Sequence, residues 1–173
     1  MNDLDTGEHI KEVYARFGLA FYHAQVLEHG IVNALIVLDL IPSRRHLARS
    51  QAEWAKAVDE FTGRHFEHTM GRLLRDLSSL TTIQPRLEGM LRDALKKRNW
   101  LAHEFFRERA GEFLTSNGRD QMLIEVEDCR SLFQAADEAL ENIVTPLRKA
   151  AGITDEMLEQ ALNDMMPHPE RDG

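Results

Sequence analysis

The sequence predicts an all-α fold. Apolar residues recur at steps of three and four along four long segments, which is the spacing of one face of a helix. The connectors between these segments are short, and the stretch that most resembles a strand, Met122 to Val126, has no predicted partner strand. Long helices with short connectors indicate an up-and-down antiparallel four-helix bundle. We therefore expect one helical domain over 1–173, with a core of about 8–150.

The first two helices are predicted from their apolar spacing and their ends. The first runs over about 5–40, and Pro42 should end it, because the residue before a proline disfavours helix. The second runs over about 50–79 and begins at a capping box, Ser50-Gln51-Ala52-Glu53. Gly71 lies inside it at a cost of about 1 kcal/mol relative to alanine, which close approach of another helix would offset.

Three further helices are predicted in the second half of the chain. A helix over about 85–109 starts with Pro85, a residue that suits a first helical turn. A turn at Ser116-Asn117-Gly118 precedes a helix over about 119–149. A short additional helix over about 154–166 completes the domain.

Composition indicates a soluble globular protein, with 43% hydrophobic and 29% charged residues. A single cysteine, Cys129, excludes an intramolecular disulfide and fits a reducing compartment, so we expect an ordinary packed thiol. The longest apolar run, Ile31 to Ile41, is too short to cross a membrane, and the N-terminus lacks the apolar core of a signal peptide. We therefore expect a cytoplasmic protein without membrane contact.

The charge distribution is uneven. A net charge of −8 argues against a general nucleic-acid coat protein. Residues 85–109 nevertheless hold seven basic and four acidic side chains, so this segment is net positive. Such a segment could form a local site for an anionic ligand, although a solvated helix face is the more common explanation.

The segment Arg98-Asn99-Trp100-Leu101-Ala102-His103 carries the residue types of a metal-free phosphodiester chemistry. Histidine suits proton transfer near neutral pH, and the planar guanidinium of arginine suits a phosphate. Asn99 and His103 are one helical turn apart on the same face, so the amide could orient the imidazole. Arg98 points about 140° away from His103 on an ideal helix. It can share a site with His103 through its long side chain, a kink or a second chain.

Arginine, an adjacent asparagine and a histidine in the R-x4-H spacing resemble the HEPN superfamily. The surrounding segments RNWLAHEFF, AQVLEH and TMGRLLRDL look like those of small bacterial HEPN-like proteins. The resemblance covers roughly residues 14–148 and implies a helical bundle. It also implies a metal-independent ribonuclease, of the toxin or defence type, in which no cofactor is needed. His103 would be the acid/base, Arg98 the phosphate clamp and Asn99 the orienting residue.

A homodimer follows from the chemistry. Attack by a ribose 2′-OH places the attacking and leaving oxygens on opposite sides of phosphorus, and one imidazole cannot easily reach both. Two-fold pairing of the third predicted helix would supply a base from one subunit and an acid from the other. RNA and a silencing partner such as an antitoxin are the other expected partners.

Three residues are candidates for supporting roles. Glu28 could pair with the motif arginine across the bundle, or be an ordinary exposed glutamate. Lys96 lies on a polar stripe with Asn99 and His103. Phe106, three residues after His103, could stack a base, whereas we expect Phe105 in the core.

Two alternatives to the ribonuclease stay open. The first is a non-catalytic helical dimer that binds a protein or nucleotide partner. The second is a metal-dependent bundle, since His65 and His68 at i,i+3 can share an ion. No third ligand stands at a recognisable spacing, so no metal site is predicted and His65 is expected at a helix interface.

Overall fold

The computed structural model describes residues 3–165, and over this part of the chain every regular element is helical. The predicted all-α class is therefore confirmed. In chain order the elements are α1 (Asp3–Leu35), a π-helical turn (Ile36–Leu40), α2 (Ile41–Arg44), a 3-10 turn (Arg45–Leu47), α3 (Gln51–Phe66), α4 (Met70–Leu80), α5 (Pro85–His103), α6 (Phe105–Glu108), α7 (Ala110–Phe113), α8 (Ser116–Ala150) and α9 (Asp155–Met165).

The first helical segment does not end at Pro42 as predicted. A π turn over Ile36–Leu40 leads directly into α2, where Pro42 occupies the first turn. The wider π turn displaces the carbonyl with which the pyrrolidine ring would otherwise clash. Helical structure therefore continues through this proline to Leu47.

The predicted helix over 50–79 is two helices. Its capping box is present: the Ser50 hydroxyl accepts from the backbone N–H of Glu53, and the Glu53 carboxylate accepts from the N–H of Arg49. The chain breaks after Phe66, and the Thr69 side chain caps α4 by accepting from the N–H of Arg72. Gly71 therefore lies in the first turn of a new helix, where a β-carbon would meet Leu95 of α5 at ordinary contact distance, 3.5 Å.

The predicted helix over 85–109 ends at His103. Glu104 leaves helical geometry with φ −120° and ψ −31°, and the short helices α6 and α7 follow. The expected turn at 116–118 is instead the first turn of α8, which Thr115 caps. Gly118 is required there because a β-carbon would collide with the backbone of Glu112. Gly152, with φ +82°, follows the end of α8 as predicted.

The direction of the helices differs from an up-and-down four-helix bundle. His9 lies 3.2 Å from Asp120, and Gly30 lies against Asp137, so α1 and α8 run parallel. By contrast, Arg98 of α5 contacts Glu28, whereas Phe105, two residues beyond the end of α5, stacks on the earlier Phe17, so the chain from α5 into α6 runs antiparallel to α1. The first and last long helices, α1 and α8, are therefore parallel, whereas an up-and-down four-helix bundle makes them antiparallel.

The core lies between α1 and α8 and is closed by α4 and α5. Phe105 and Phe133 are its largest fully buried side chains, which confirms the expectation for Phe105. Cys129 is also buried, and desolvation raises the pKa of its thiol to about 11, as expected of a packed, unreactive cysteine. Most other buried members come from α1, α4, α5 and α8, and they include Val13, Leu27, Ile31, Leu35, Leu73, Leu77, Leu91, Leu101, Met122, Val126 and Leu140.

One helical stretch, Thr6–Leu47, is long and apolar enough to cross a membrane by length and composition, with a mean hydropathy of 1.5 in its most apolar window. In that window 44% of the residues are buried against the rest of the protein. A core helix of a water-soluble protein meets the same criteria.

Candidate functional site

The last two turns of α5 carry the residues that the sequence singled out. Helix α5 begins at Pro85 and packs against α1, α4 and α8. Its remaining face is exposed and holds Lys96, Asn99 and His103, each one turn from the next. Arg98 lies to the side of this exposed face and is half-buried.

Arg98 is held by Glu28 of α1. Its Nε donates to Oε1 of Glu28 at 2.9 Å, and the two side chains are 28% and 22% exposed. The guanidinium carbon also lies 5.8 Å from the centre of the Phe21 ring. An arginine fixed on two sides keeps little rotational freedom, so its remaining N–H groups have a defined direction.

That direction is towards the exposed face of α5. Nη1 of Arg98 lies 3.5 Å from Oδ1 of Asn99, at the limit of a hydrogen bond. The long side chain thus spans from the half-buried Glu28 of α1 to the exposed amide of Asn99. The structure gathers Glu28, Arg98 and Asn99 into one chain of contacts.

His103 is the last residue of α5 and is exposed. No hydrogen bond joins its ring to another described residue; in particular, the Asn99 amide oxygen faces Arg98 rather than the imidazole. The expected orienting contact between Asn99 and His103 is therefore not formed within one chain. A single chain presents His103 free, one turn beyond the Arg98–Asn99 contact.

Phe106 does not occupy the face predicted for it. Because the helix ends at His103 and the chain turns at Glu104, the i,i+3 relation between His103 and Phe106 is lost. Phe106 is instead partly buried, with ring centres 4.9 Å from Phe17 and 5.7 Å from Tyr14. It packs in an aromatic cluster between α6 and α1 and is therefore not free to stack a base.

Much of the positive charge on 85–109 is neutralised locally. Lys96 pairs with Asp93 at 3.1 Å, and Arg92 pairs with Glu88 at 2.6 Å, both within α5. Arg109 binds Glu125 of α8 through two hydrogen bonds of 2.8 and 2.9 Å. The two exposed pairs within α5 are worth roughly 0–1 kcal/mol each, so they can open to an anionic ligand, whereas Arg109 and Glu125 are partly buried.

The two histidines of the predicted second helix lie at the break between α3 and α4. Here the fold supplies a third ligand type that spacing did not reveal: side-chain ligand atoms of His65, His68 and Asp76 lie within 4.8 Å of one another. Asp76 comes from α4, beyond the break. The signal that could have helped to place it is Thr69, since threonine is a preferred N-cap and indicates the start of a new helix.

Comparison with protein-family models, with curated proteins and with solved structures gives no significant match to this chain.

Proposed function

We propose that this protein is a metal-independent endoribonuclease of HEPN type, with a composite site between the α5 helices of two subunits. The observation that carries the proposal is the arrangement at the end of α5. Glu28 fixes Arg98, Arg98 reaches Asn99, and His103 stands exposed one turn further on. A fixed cation and a free imidazole, brought to one cleft by two subunits, are the residue types that metal-free cleavage of RNA needs.

The chemistry divides between these residues by type. One imidazole removes the proton of the ribose 2′-OH, which attacks the adjacent phosphorus. The guanidinium of Arg98 binds the non-bridging oxygens, whose negative charge grows in the transition state. A second imidazole protonates the departing 5′-oxygen, which leaves a 2′,3′-cyclic phosphate and a 5′-hydroxyl.

The second imidazole is the reason to propose a homodimer. In one chain the end of α5 offers His103 alone, and its exposed face with Lys96 and Asn99 has no covering helix among residues 3–165. Two-fold pairing of this face would bring two copies of His103 to one cleft. Light scattering at micromolar concentration should give a dimer, and a monomer at that concentration would remove the basis for a composite site.

The decisive experiment is cleavage of RNA in EDTA by the wild type, His103→Ala and His46→Ala. The first variant removes the proposed acid/base, so its rate should fall by roughly 10²–10⁴. His46 is likewise exposed but lies in the 3-10 turn after α2, so His46→Ala should cleave like the wild type. Products should end in 2′,3′-cyclic phosphate. Equal rates for the two variants, or a wild type inactive on total cellular RNA, would contradict the proposal.

A non-catalytic dimer that binds a protein or nucleotide is the second candidate, because Arg98 is already engaged by Glu28 and the chain is net acidic. It predicts a dimer whose expression leaves cell growth and RNA unchanged, for the wild type as for His103→Ala. The ribonuclease proposal predicts a growth defect that His103→Ala abolishes. It also implies a cytoplasmic protein, without membrane attachment, that a partner such as an antitoxin keeps silent.

A further inference from the structure

The corner between α3 and α4 brings together three side chains that bind transition metals. His65 lies in the last turn of α3, His68 lies in the break, and Asp76 lies in the second turn of α4. Their ligand atoms are within 4.8 Å of one another although Asp76 is eight residues from His68. Two imidazoles and a carboxylate form a donor set that Zn²⁺ takes in proteins.

The ring of His65 is held by a backbone carbonyl and by an aromatic neighbour. Its Nδ1 lies 2.8 Å from the carbonyl oxygen of Phe61. A carbonyl only accepts, so Nδ1 carries the proton and Nε2 keeps its lone pair. Stacking on the Phe61 ring, with centres 4.0 Å apart, holds the plane in place. A backbone carbonyl on the second ring nitrogen is the usual support of a zinc-bound histidine.

His68 supplies the observation that calls for a ligand. Its Nδ1 is buried and has no hydrogen-bond partner among the described residues. The nearest carboxylate oxygen, Oδ2 of Asp76, is 3.7 Å away, beyond hydrogen-bond distance. Two ligands of one tetrahedral zinc ion, each about 2.0–2.2 Å from the metal, are themselves about 3.4 Å apart. The separation therefore matches two ligands of one ion better than a direct contact.

We propose that His65, His68 and Asp76 form a transition-metal site of the Zn²⁺ class, with water completing the coordination. The ion would join α3 to α4 across the break and satisfy the buried nitrogen of His68. Nε of Arg72 donates a hydrogen bond to Oδ1 of Asp76 at 2.9 Å. A bound metal would displace this exposed guanidinium from the carboxylate. The site is structural and is separate from the chemistry at His103.

The corner nevertheless lies close to the helix that fixes Arg98. Phe66, the last residue of α3, packs edge-on against the ring of His29 with centres 4.5 Å apart. His29 follows Glu28 directly in α1. A metal that stabilises this corner would therefore also stabilise the part of α1 that holds Glu28, without contacting RNA.

The test is titration of the metal-free chain with Zn²⁺ alone by calorimetry, together with thermal unfolding in Zn²⁺ and in EDTA. The wild type should bind one ion per chain and melt at a higher temperature in Zn²⁺. His68→Ala and Asp76→Asn should bind at least about 100-fold more weakly, since loss of even an outer-shell partner costs about 10–100-fold. Arg72→Gln should bind more tightly than the wild type, because the competing cation is gone.

Two control variants match the ligands in type. His46→Ala removes an exposed histidine elsewhere, and Glu67→Gln removes an exposed carboxylate within the break that is not a ligand. Both should bind Zn²⁺ like the wild type. Circular dichroism of each variant verifies the fold. Absence of binding by the wild type, or equal weakening by His46→Ala and His68→Ala, would overturn the proposal. A bridging water would then explain the 3.7 Å separation.

Discussion

The end of α5 and the corner between α3 and α4 differ in how the fold places residues that are near in sequence: at α5 the side chains diverge, and at the corner they converge. Arg98 and His103 belong to one helix, yet Arg98 turns inwards to Glu28 while His103 faces solvent. His68 and Asp76 belong to different elements, yet their side chains converge with His65. The proposal for the first region requires a second subunit, whereas the proposal for the second draws its three protein ligands from one chain.

The difference comes from helix geometry. Within a helix, side chains five residues apart diverge by about 140°, and only a long side chain or a partner brings them together. At a helix break the chain can change direction, so residues on its two sides can converge, as His65 and Asp76 do. A compact motif in a sequence is therefore a weak guide to a compact site, and a break inside a predicted helix is a place to look for one.

After His103→Ala, the largest expected effect at α5 is that of Arg98→Lys. An ammonium keeps the charge but cannot bind Glu28 through Nε while presenting other N–H groups towards Asn99. Loss of a transition-state donor of this kind should lower the cleavage rate about 10²–10³-fold. The matched control is Lys97→Arg, which changes the neighbouring cation that lies 4.9 Å from the Trp100 ring. A wild-type rate for Arg98→Lys would mean that Arg98 is only structural.

Glu28→Gln should have a smaller effect on the same site. The amide keeps an acceptor for Nε of Arg98 but loses the charge. The interaction that orients Arg98 should weaken by about 1 kcal/mol, which corresponds to a cleavage rate about fivefold lower. Single-turnover cleavage measures this. Glu8→Gln, which removes the partner of Lys11 on the same helix, is the control and should be silent. If Glu28→Gln raises the rate, the ion pair restrains Arg98 instead of orienting it.

Thr69→Ala tests the break that forms the second region. Loss of the side-chain cap on the N–H of Arg72 should lower the free energy of unfolding by about 1 kcal/mol and weaken Zn²⁺ binding, because His68 loses its fixed position. Urea unfolding with and without Zn²⁺ gives both values. Ser78→Ala, an exposed position later in α4, should leave both unchanged. Equal stability of Thr69→Ala and the wild type would show that packing, not the cap, sets the corner.

Asp137→Asn should change neither RNA cleavage nor Zn²⁺ binding. It should change only the stability of the fold, so it separates general stability from effects at the two regions. Burial raises the pKa of Asp137 above its ordinary value of 3.8, with nearby Glu141 and Glu138 adding to the shift. The folded state thus favours the protonated acid, and wild-type stability falls as pH rises through this range. Asp137→Asn should melt higher than the wild type at neutral pH and equally below pH 3.8. A lower melting temperature at neutral pH would contradict this.

The sequence predicted the elements that local chemistry fixes. Pro85 opens α5, Ser50 caps α3, and Gly152 closes α8 with a positive φ. Each depends on a residue and its immediate neighbours, so tertiary contacts do not alter the outcome. The helix over 154–166 is likewise present as Asp155–Met165, and its predicted last residue lies outside the described part of the chain.

The misplaced boundaries depend on competition between local signals and packing. Apolar periodicity continues across Phe66 and Met70, so it concealed the break that Thr69 caps. The turn signal at 116–118 contains Gly118 because the backbone of Glu112 passes close by, a tertiary contact that spacing cannot show. The parallel pairing of α1 with α8 is likewise a tertiary arrangement that apolar periodicity does not show. For the site, the residue types and the Glu28–Arg98 contact were predictable, whereas the orientation of His103 and the participation of Asp76 were not.

The central claim is that the two regions have separate roles. It is tested most directly by measuring RNA cleavage and Zn²⁺ binding on the same preparations of wild type, His103→Ala and His68→Ala. We predict that His103→Ala loses cleavage and binds Zn²⁺ normally. His68→Ala should lose Zn²⁺ binding and, below its melting temperature, cleave at the wild-type rate in EDTA. If cleavage by the wild type stops in EDTA and returns with Zn²⁺, or if His68→Ala abolishes both properties in a folded dimer, the two regions form a single metal-dependent site and the account is contradicted.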